Sequence, residues 1–383
     1  MAHALILGAS GISGWSLLNQ ARSYPTPTTF ARITGTTNRP LTLDQTHIPN
    51  DPRVHIASGI DFTKPVEEVA RSLKEKIPDV KTVSHVFYTA YVQTSDFESL
   101  KKVNIGLLDV AVRAIEAVSS NLQVVILQTG GKGYGLEFPK DVAIRPPLKE
   151  SHPRIPEPWA SNIFYYGQYD LLKALSHGKP WTFSEIRPDG IVGFTPSSNA
   201  MNMAQGIGLY LTIYREVHGA GAAVPFPGYE HGYRAKHSDT FQDILSKMEI
   251  YAALHPDKCG DGGVFNIADG KDVTWADVWP RLCEHFGLVG QGPVVADKTP
   301  MLDFVKEHRD AWLNLAKRYG LKEEVVDQQG WAHTHFMLVP FDFDRQYDLS
   351  RSREVGFSEE IDTVEGYILS WDRMRAAKIL PPL

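Results

Sequence analysis

Cysteine is almost absent from this chain of 383 residues, which carries Cys259 and Cys283 and no others. A chain of this length builds its core without covalent staples, so a disulfide scaffold is excluded. No apolar run approaches the roughly 20 residues that cross a bilayer. The opening Met1-Ala2-His3-Ala4-Leu5-Ile6-Leu7 has no basic flank and runs straight into Gly8, unlike a secretion signal. A cytoplasmic protein is therefore expected. There is no surplus of positive charge either, with 39 Lys and Arg against 45 Asp and Glu. The net charge of −6 gives no electrostatic reason to expect a nucleic-acid or membrane partner. A Gly-x-Ser-x-Gly turn is missing as well, so no hydrolase serine presents itself. His333-Thr334-His335 would put two imidazoles on one face of a strand, but without further ligands they do not make a zinc set, and no metal is expected.

Apolar residues make up 43% of the chain and aromatics 10%, ample for a buried core, and the length suggests two modules. The first half alternates short β-rich runs with helix-compatible segments, the pattern of βα units on a parallel sheet. Strands are expected at 3–7, 31–35, 54–57, 83–90, 122–127 and 181–186, with helices after Gly14, from Pro65 to Lys76 and from Phe97 to Val118. These six strands make an α/β fold with a doubly wound parallel sheet and ligands at its C-terminal edge. Beyond Arg187-Pro188 the alternation fades. Helices are expected at 200–217, 240–254, 274–286, 301–319 and 361–379, and a Gly- and Pro-rich loop or short strand at 219–232. The expected division is a dinucleotide-binding domain at 1–190 and a mostly helical substrate-binding region at 191–383, with segments returning to the first body.

Gly8-Ala9-Ser10-Gly11-Ile12-Ser13-Gly14 follows the first strand and opens a helix. In that context small residues let backbone approach a pyrophosphate, and a helix N-terminus offers N–H groups and partial positive charge. Gly8, Ser10, Gly11, Ile12 and Gly14 are the candidates. The second strand ends in Thr37-Asn38-Arg39 with no acid to bind a ribose diol. Arg39 can neutralise a 2′-phosphate while Thr37 and Asn38 donate hydrogen bonds, so NADP(H) is the expected cofactor. Asp61, closing the third strand, is either an adenine ligand or a turn-forming aspartate.

The fifth strand leads into Thr129-Gly130-Gly131-Lys132-Gly133-Tyr134, and Asn162-Ile163-Phe164-Tyr165-Tyr166-Gly167-Gln168-Tyr169-Asp170 opens a helix. Here the chain resembles the progesterone 5β-reductase and iridoid synthase-like branch of the extended short-chain dehydrogenase/reductases, and the resemblance runs to Ser370-Trp371. It implies a Rossmann sheet and NADPH-dependent reduction of an activated C=C bond. A lysine from Thr-Gly-x-Lys and a tyrosine from Asn-Phe-Tyr-Tyr would serve, matching Lys132 and Tyr166. The family's histidine after the lysine is Gly133 here, and its first motif phenylalanine is Ile163. The ordinary Tyr-x-x-x-Lys pattern is met instead by Tyr169 and Lys173, one helical face apart by four residues. The flanking residues favour Tyr166 with Lys132, and the other dyad stays the rival.

On either register hydride goes to the electron-poor carbon of an enone or enal, and the phenol meets the substrate oxygen. A ketone or aldehyde is the alternative acceptor, and an NADP-binding regulatory protein without turnover is the non-enzymatic alternative. Thr129 and Ile191 are further cofactor candidates; Tyr91, Tyr134, Phe194, Met203 and Phe341 are pocket candidates around a small molecule. A homodimer is compatible with the sequence, which does not fix the oligomeric state.

Overall fold

Ala2-His3-Ala4-Leu5-Ile6-Leu7 is apolar and β-compatible, and in a computed structural model of the chain it forms β1 (Ala2–Leu7), buried from His3 onward. The structure describes residues 2–196, 199–295 and 300–383. His3 is tolerated in this buried strand because its ring nitrogens each meet a threonine hydroxyl, Thr82 and Thr34, at 2.9 Å. Burial, with Arg32 assisting, pushes its pKa down to about 4.

The chain divides into two compact units. The first comprises Met1–Asp189, Asp243–Ile267 and Asp348–Ser358. Its sheet adds β2 (Phe30–Thr37), β3 (Val54–Ser58), β4 (His85–Tyr88), β5 (Val124–Gln128), β6 (Thr182–Pro188) and β7 (Gly263–Ile267). Their order is β7-β6-β5-β4-β1-β2-β3, with every pairing parallel. Seven strands replace the expected six. The extra one, Gly263-Val264-Phe265-Asn266-Ile267, lies far along the chain from β6, outside the regular alternation, yet pairs with it from Gly263 opposite Ser184 to Ile267 opposite Pro188. Strand order reverses between β1 and β4, which opens a crevice at their C-terminal ends.

Helices α1 (Ile12–Gln20), α2 (Val66–Lys76), α3 (Phe97–Val118) and α4 (Phe164–Ser176) cover this sheet. The carboxylate of Asp96 caps α3 by accepting from Ser99 N, and the helix buries Leu100, Leu107, Leu108, Ala111 and Ile115 along one stripe. Of these, Leu107, Leu108, Ala111 and Ile115 join Leu5, Leu7, Val86, Val125 and Leu127 in the core. Their burial is the main force fixing the strand ends from which the site is built.

The second unit comprises Gly190–Gln242, Ala268–Tyr347 and Glu359–Leu383. Its longer helices are Met203–His218, Trp275–His285, Arg309–Tyr319 and Thr363–Ala376. Thr274 and Asp277 form a reciprocal capping box at the second of these. Two pairs of short parallel strands accompany them, Gly190–Val192 with Asp239–Phe241 and Ala223–Pro225 with Val289–Gln291. Three expectations need correction. The helix expected from Thr240 begins at Gln242, because Thr240 and Phe241 pair as strand with Ile191 and Val192. The helix expected over 301–319 is two, Met301–Glu307 and Arg309–Tyr319, with His308 leaving helical geometry at the junction. Within the Gly- and Pro-rich stretch, a helix Glu230–Arg234 follows the short strand.

Candidate active site

Everything at the mouth of the crevice follows from how the strands end. After β1 the chain turns at Gly8, whose φ of +93° is left-handed and whose missing Cβ would lie 3.0 Å from the backbone of Thr89 and Ala90. Gly14 is held more tightly still, since a Cβ there would lie 2.2 Å from Gly8 O. The turn is pinned by Gly8 N and Ala9 N donating to Thr36 O, and by Gly11 N donating to Gly8 O. Gly11 then caps α1 without a side chain. The first-turn N–H groups of α1, starting at Ile12, have no partner within the helix, and Ser10 sits partly exposed beside them. The site therefore has the bare backbone and positive helix end that a pyrophosphate requires.

At the end of β2 the Thr37 hydroxyl donates to Arg39 O at 2.5 Å and to Ser58 Oγ at 3.3 Å. Asn38 and Arg39 are exposed, and among the described residues the Arg39 guanidinium has no ion pair. Asp61, after β3, caps its own turn by accepting from Thr63 N at 2.9 Å and Thr63 Oγ1 at 2.7 Å. Those hydrogen bonds hold its carboxyl below the usual range.

The chemistry-bearing side chains gather at the ends of β4, β5 and β6. Lys132 lies in a 3₁₀ turn, Gly131–Tyr134, and its ammonium pairs with Glu137 Oε1 at 2.6 Å. Tyr166 is buried on α4. Its hydroxyl donates to Gly133 O at 2.6 Å and accepts from Ile155 N at 3.1 Å, with the Arg154 guanidinium 4.7 Å over its ring. Both capacities of that hydroxyl are taken up by backbone. Tyr169 of the rival dyad is likewise engaged, donating to Gly262 O at 3.0 Å and packing edge-on to Phe183, while Lys173 is exposed. Tyr165 differs from both. Its oxygen lies 3.7 Å from where a Gly130 Cβ would be, and among the described residues its hydroxyl has no hydrogen-bond partner. Burial pushes this phenol well above its ordinary pKa, and the charges of Tyr91, Glu137 and Glu185 act in the same direction.

Thr129, directly after β5, donates from Oγ1 to Glu185 Oε1 at 2.6 Å. Glu185 in turn holds Arg187 through Nε at 2.8 Å and Nη2 at 3.1 Å. The guanidinium stacks 5.2 Å over the Tyr134 ring, whose hydroxyl donates to Asn266 Oδ1 at 2.6 Å. Tyr134 is therefore part of the buried support for the lysine loop, its phenol pushed up to about 12 by burial. Tyr91 stacks on Phe164 with centroids 5.9 Å apart and its hydroxyl engages Gln93 Oε1. The remaining candidates belong to the second unit. Ile191 is in the strand Gly190–Val192, Phe194 donates its N–H to Gln242 Oε1, Met203 starts a helix, and Phe341 packs between Phe336 and Phe343. His333 and His335 lie on a helix, Trp331–Leu338, so residues two apart point to nearly opposite sides and the strand-face arrangement is corrected.

Two acids at the first unit's site carry no motif. Glu137 follows Lys132 by five residues, and Glu185 stands with Arg187 as the two charged residues of the largely buried strand β6. A charged residue inside a fully buried strand is the one signal that points to such a network from sequence.

Comparison with known proteins agrees with this architecture. Residues 4–381 match the family described as PRISE-like Rossmann-fold domain. The short chain dehydrogenase ausT of Aspergillus calidoustus is 35% identical, over 99% of this chain and 94% of its own. The 3-oxo-Delta(4,5)-steroid 5-beta-reductase of Arabidopsis thaliana is 26% identical, over 99% and 93%. Among solved structures, the Bordetella bronchiseptica enzyme WbmH in complex with NAD+ superposes with a TM-score of 0.60 at 14% identity, over 98% of this chain and 99% of that one. No helix among the described residues is long and apolar enough to cross a membrane.

Proposed function

Because the chain belongs to the PRISE-like Rossmann-fold family of NAD(P)-dependent oxidoreductases acting on small molecules, we propose that it uses NADPH to saturate the activated C=C bond of an enone or enal. The observation that carries this reading is the contrast between three neighbouring tyrosines. Tyr166 and Tyr169 have their hydroxyls on backbone carbonyls, whereas the Tyr165 hydroxyl, beside Gly130, has no hydrogen-bond partner among the described residues. The working phenol is therefore assigned to Tyr165, one residue before the sequence expectation, and Lys132 is retained.

Gly8, Gly11 and Gly14 fit a dinucleotide pyrophosphate, since side chains at Gly8 and Gly14 would collide with the turn's surrounding backbone and break the close packing that presents the start of α1. Arg39, exposed and without an ion pair among the described residues, would neutralise a 2′-phosphate. When bound, the dinucleotide supplies a hydride from its nicotinamide ring. Tyr165 hydrogen-bonds the substrate oxygen and so stabilises the negative charge that develops there. Lys132 adds an ammonium beside that oxygen and is placed to hold ribose hydroxyls. Tyr166, through Gly133 O, fixes the loop that carries Lys132. The Arabidopsis relative, a 3-oxo-Delta(4,5)-steroid 5-beta-reductase, supports an enone as the acceptor class.

The test is NADPH-dependent turnover over a panel of enones, enals, ketones and aldehydes, with products read by NMR. Saturation of C=C with the carbonyl intact is expected. Alcohol products alone would overturn the C=C reading, and binding without turnover on the whole panel would overturn the enzyme mechanism.

A further inference from the structure

We propose that Asn266 is a positioning residue: by holding the hydroxyl of Tyr134 it sets the turn that carries Lys132, so that a strand from late in the chain places the lysine of the site. The inference rests on the reading above, in which Lys132 serves the cofactor and the reaction.

The build of the turn supplies the first argument. Lys132 and Tyr134 share the 3₁₀ turn Gly131–Tyr134, closed by Gly135 N donating to Lys132 O at 3.0 Å and Gly133 N to Gly130 O at 3.3 Å. Gly130, Gly131, Gly133 and Gly135 surround the lysine, and glycine-rich backbone resists displacement weakly by itself. Its place is therefore set by what grips it from outside. Tyr166 grips Gly133 O from α4. Tyr134 is the second tether. It is buried, with its ring beneath the Arg187 guanidinium at 5.2 Å and edge-on to His152 at 6.5 Å. Its hydroxyl reaches β7, donating to Asn266 Oδ1 at 2.6 Å.

The amide of Asn266 supplies the second. The residue is fully buried, and its Nδ2 donates to Leu148 O at 2.8 Å and to Asp348 O at 3.1 Å. With both amide hydrogens on carbonyls, the group is held in one orientation, and its oxygen is left to accept from Tyr134. A carboxylate would accept as well but would have no hydrogen for either carbonyl. The backbone beneath is equally fixed. Asn266 N donates to Glu150 Oε1 at 2.7 Å, and β7 is paired with β6 along its length. The tether on Tyr134 therefore ends in a sheet strand, and Lys132 lies two residues from its other end.

The test compares the wild type with Lys132→Ala, Tyr134→Phe, Asn266→Asp and the double variant Lys132→Ala/Tyr134→Phe. Fluorescence titration gives the dissociation constant of NADPH without any substrate, kcat with NADPH and cyclohexenone gives a second reading, and urea unfolding follows the fold. Lys132→Ala is expected to weaken NADPH binding by about tenfold or more. Tyr134→Phe should show part of that loss and lower kcat by up to about 100-fold. In the Lys132→Ala background it should add less than about twofold, since both changes remove the same contact. Asn266→Asp keeps an oxygen for Tyr134 but strands Leu148 O and Asp348 O. It should unfold at lower urea than Tyr134→Phe and yet bind NADPH more tightly. Losses that add in the double variant, or binding losses that follow the order of unfolding, would overturn the role given to Asn266 alone. Lys132→Ala with wild-type binding and turnover would overturn the assignment beneath it as well.

Discussion

The hydroxyl of Tyr166 donates to the carbonyl oxygen of Gly133 at 2.6 Å, one residue past Lys132, and accepts from Ile155 N at 3.1 Å. One phenol thereby ties α4 to the lysine loop and to the segment that enters α4. Its neighbour Tyr165, about 100° further round the helix, points instead at Gly130 with its hydroxyl unengaged among the described residues. Adjacent tyrosines thus divide the work, the second holding the loop and the first left for a ligand.

This division separates two variants kinetically and thermodynamically. Tyr165→Phe is expected to lower kcat by about 10²–10⁴-fold, the usual worth of a positioned proton donor, with unchanged unfolding. Tyr166→Phe leaves Gly133 O and Ile155 N without their buried partner and should cost about 1–3 kcal/mol of stability. Its activity should fall less than that of Tyr165→Phe. Steady-state kinetics beside urea unfolding reads both, and the opposite ranking in kcat would return the chemistry to Tyr166.

The sequence shows the site's neighbourhood more readily than its contacts. Alternating apolar runs reveal six of the seven sheet strands, because β1 to β6 come in regular succession with helices between them. Strand β7 escapes because its partner β6 is far away in sequence and Val264-Phe265-Asn266-Ile267 looks the same whether paired or not. The glycine turn is legible because a φ of +93° and a 2.2 Å clash leave little choice of residue at Gly8 and Gly14. Tyr165 and Tyr166 are indistinguishable as letters, and only the helix phase shows which hydroxyl meets backbone. Glu137 is found only through its partner Lys132, whereas Glu185 is marked by its charge inside a buried strand, two residues from Arg187.

Arg39 has no carboxylate partner among the described residues, so its removal should act on the cofactor and not on the fold. Arg39→Ala is expected to weaken NADPH binding by about tenfold or more while leaving NADH nearly unchanged, since a charge-assisted hydrogen bond is worth about 1.5–3 kcal/mol. Fluorescence titration with both dinucleotides measures the ratio. Equal losses for the two would remove Arg39 as the source of discrimination.

Glu185 is 2% exposed and Arg187 13%, and they form a two-point pair beneath Thr129. Glu185→Ala strands a guanidinium in the interior and should cost about 3–5 kcal/mol, seen as a large drop in the urea midpoint. Glu185→Gln keeps an acceptor for Thr129 Oγ1 and should lose less. If the two variants unfold alike, charge is the whole contribution and the Thr129 hydrogen bond adds nothing.

His3 and His85 each make the first unit less stable in acid, against the opposite effect of Glu249, whose carboxyl burial pushes well above its usual range. Burial brings both down to about 4, with Arg32 also lowering His3, against 6.5 for a free imidazole. Because the folded form holds the rings neutral, the unfolded chain binds more protons between those values, and stability must fall as pH drops through that window. Above about 6.5 the two rings impose no such cost, and below about 4 the loss levels off. Between pH 7 and pH 4.5 the urea midpoint of the wild type should therefore lose ground to that of His85→Phe, whose neighbours include the ring of Phe30 at 5.8 Å. His3 is the harder position to replace, since Thr82 and Thr34 each lose a partner with it. His3→Asn, which retains a polar group, should flatten the slope even if it lowers the midpoint at pH 7. A slope unchanged in both variants would place the acid sensitivity elsewhere.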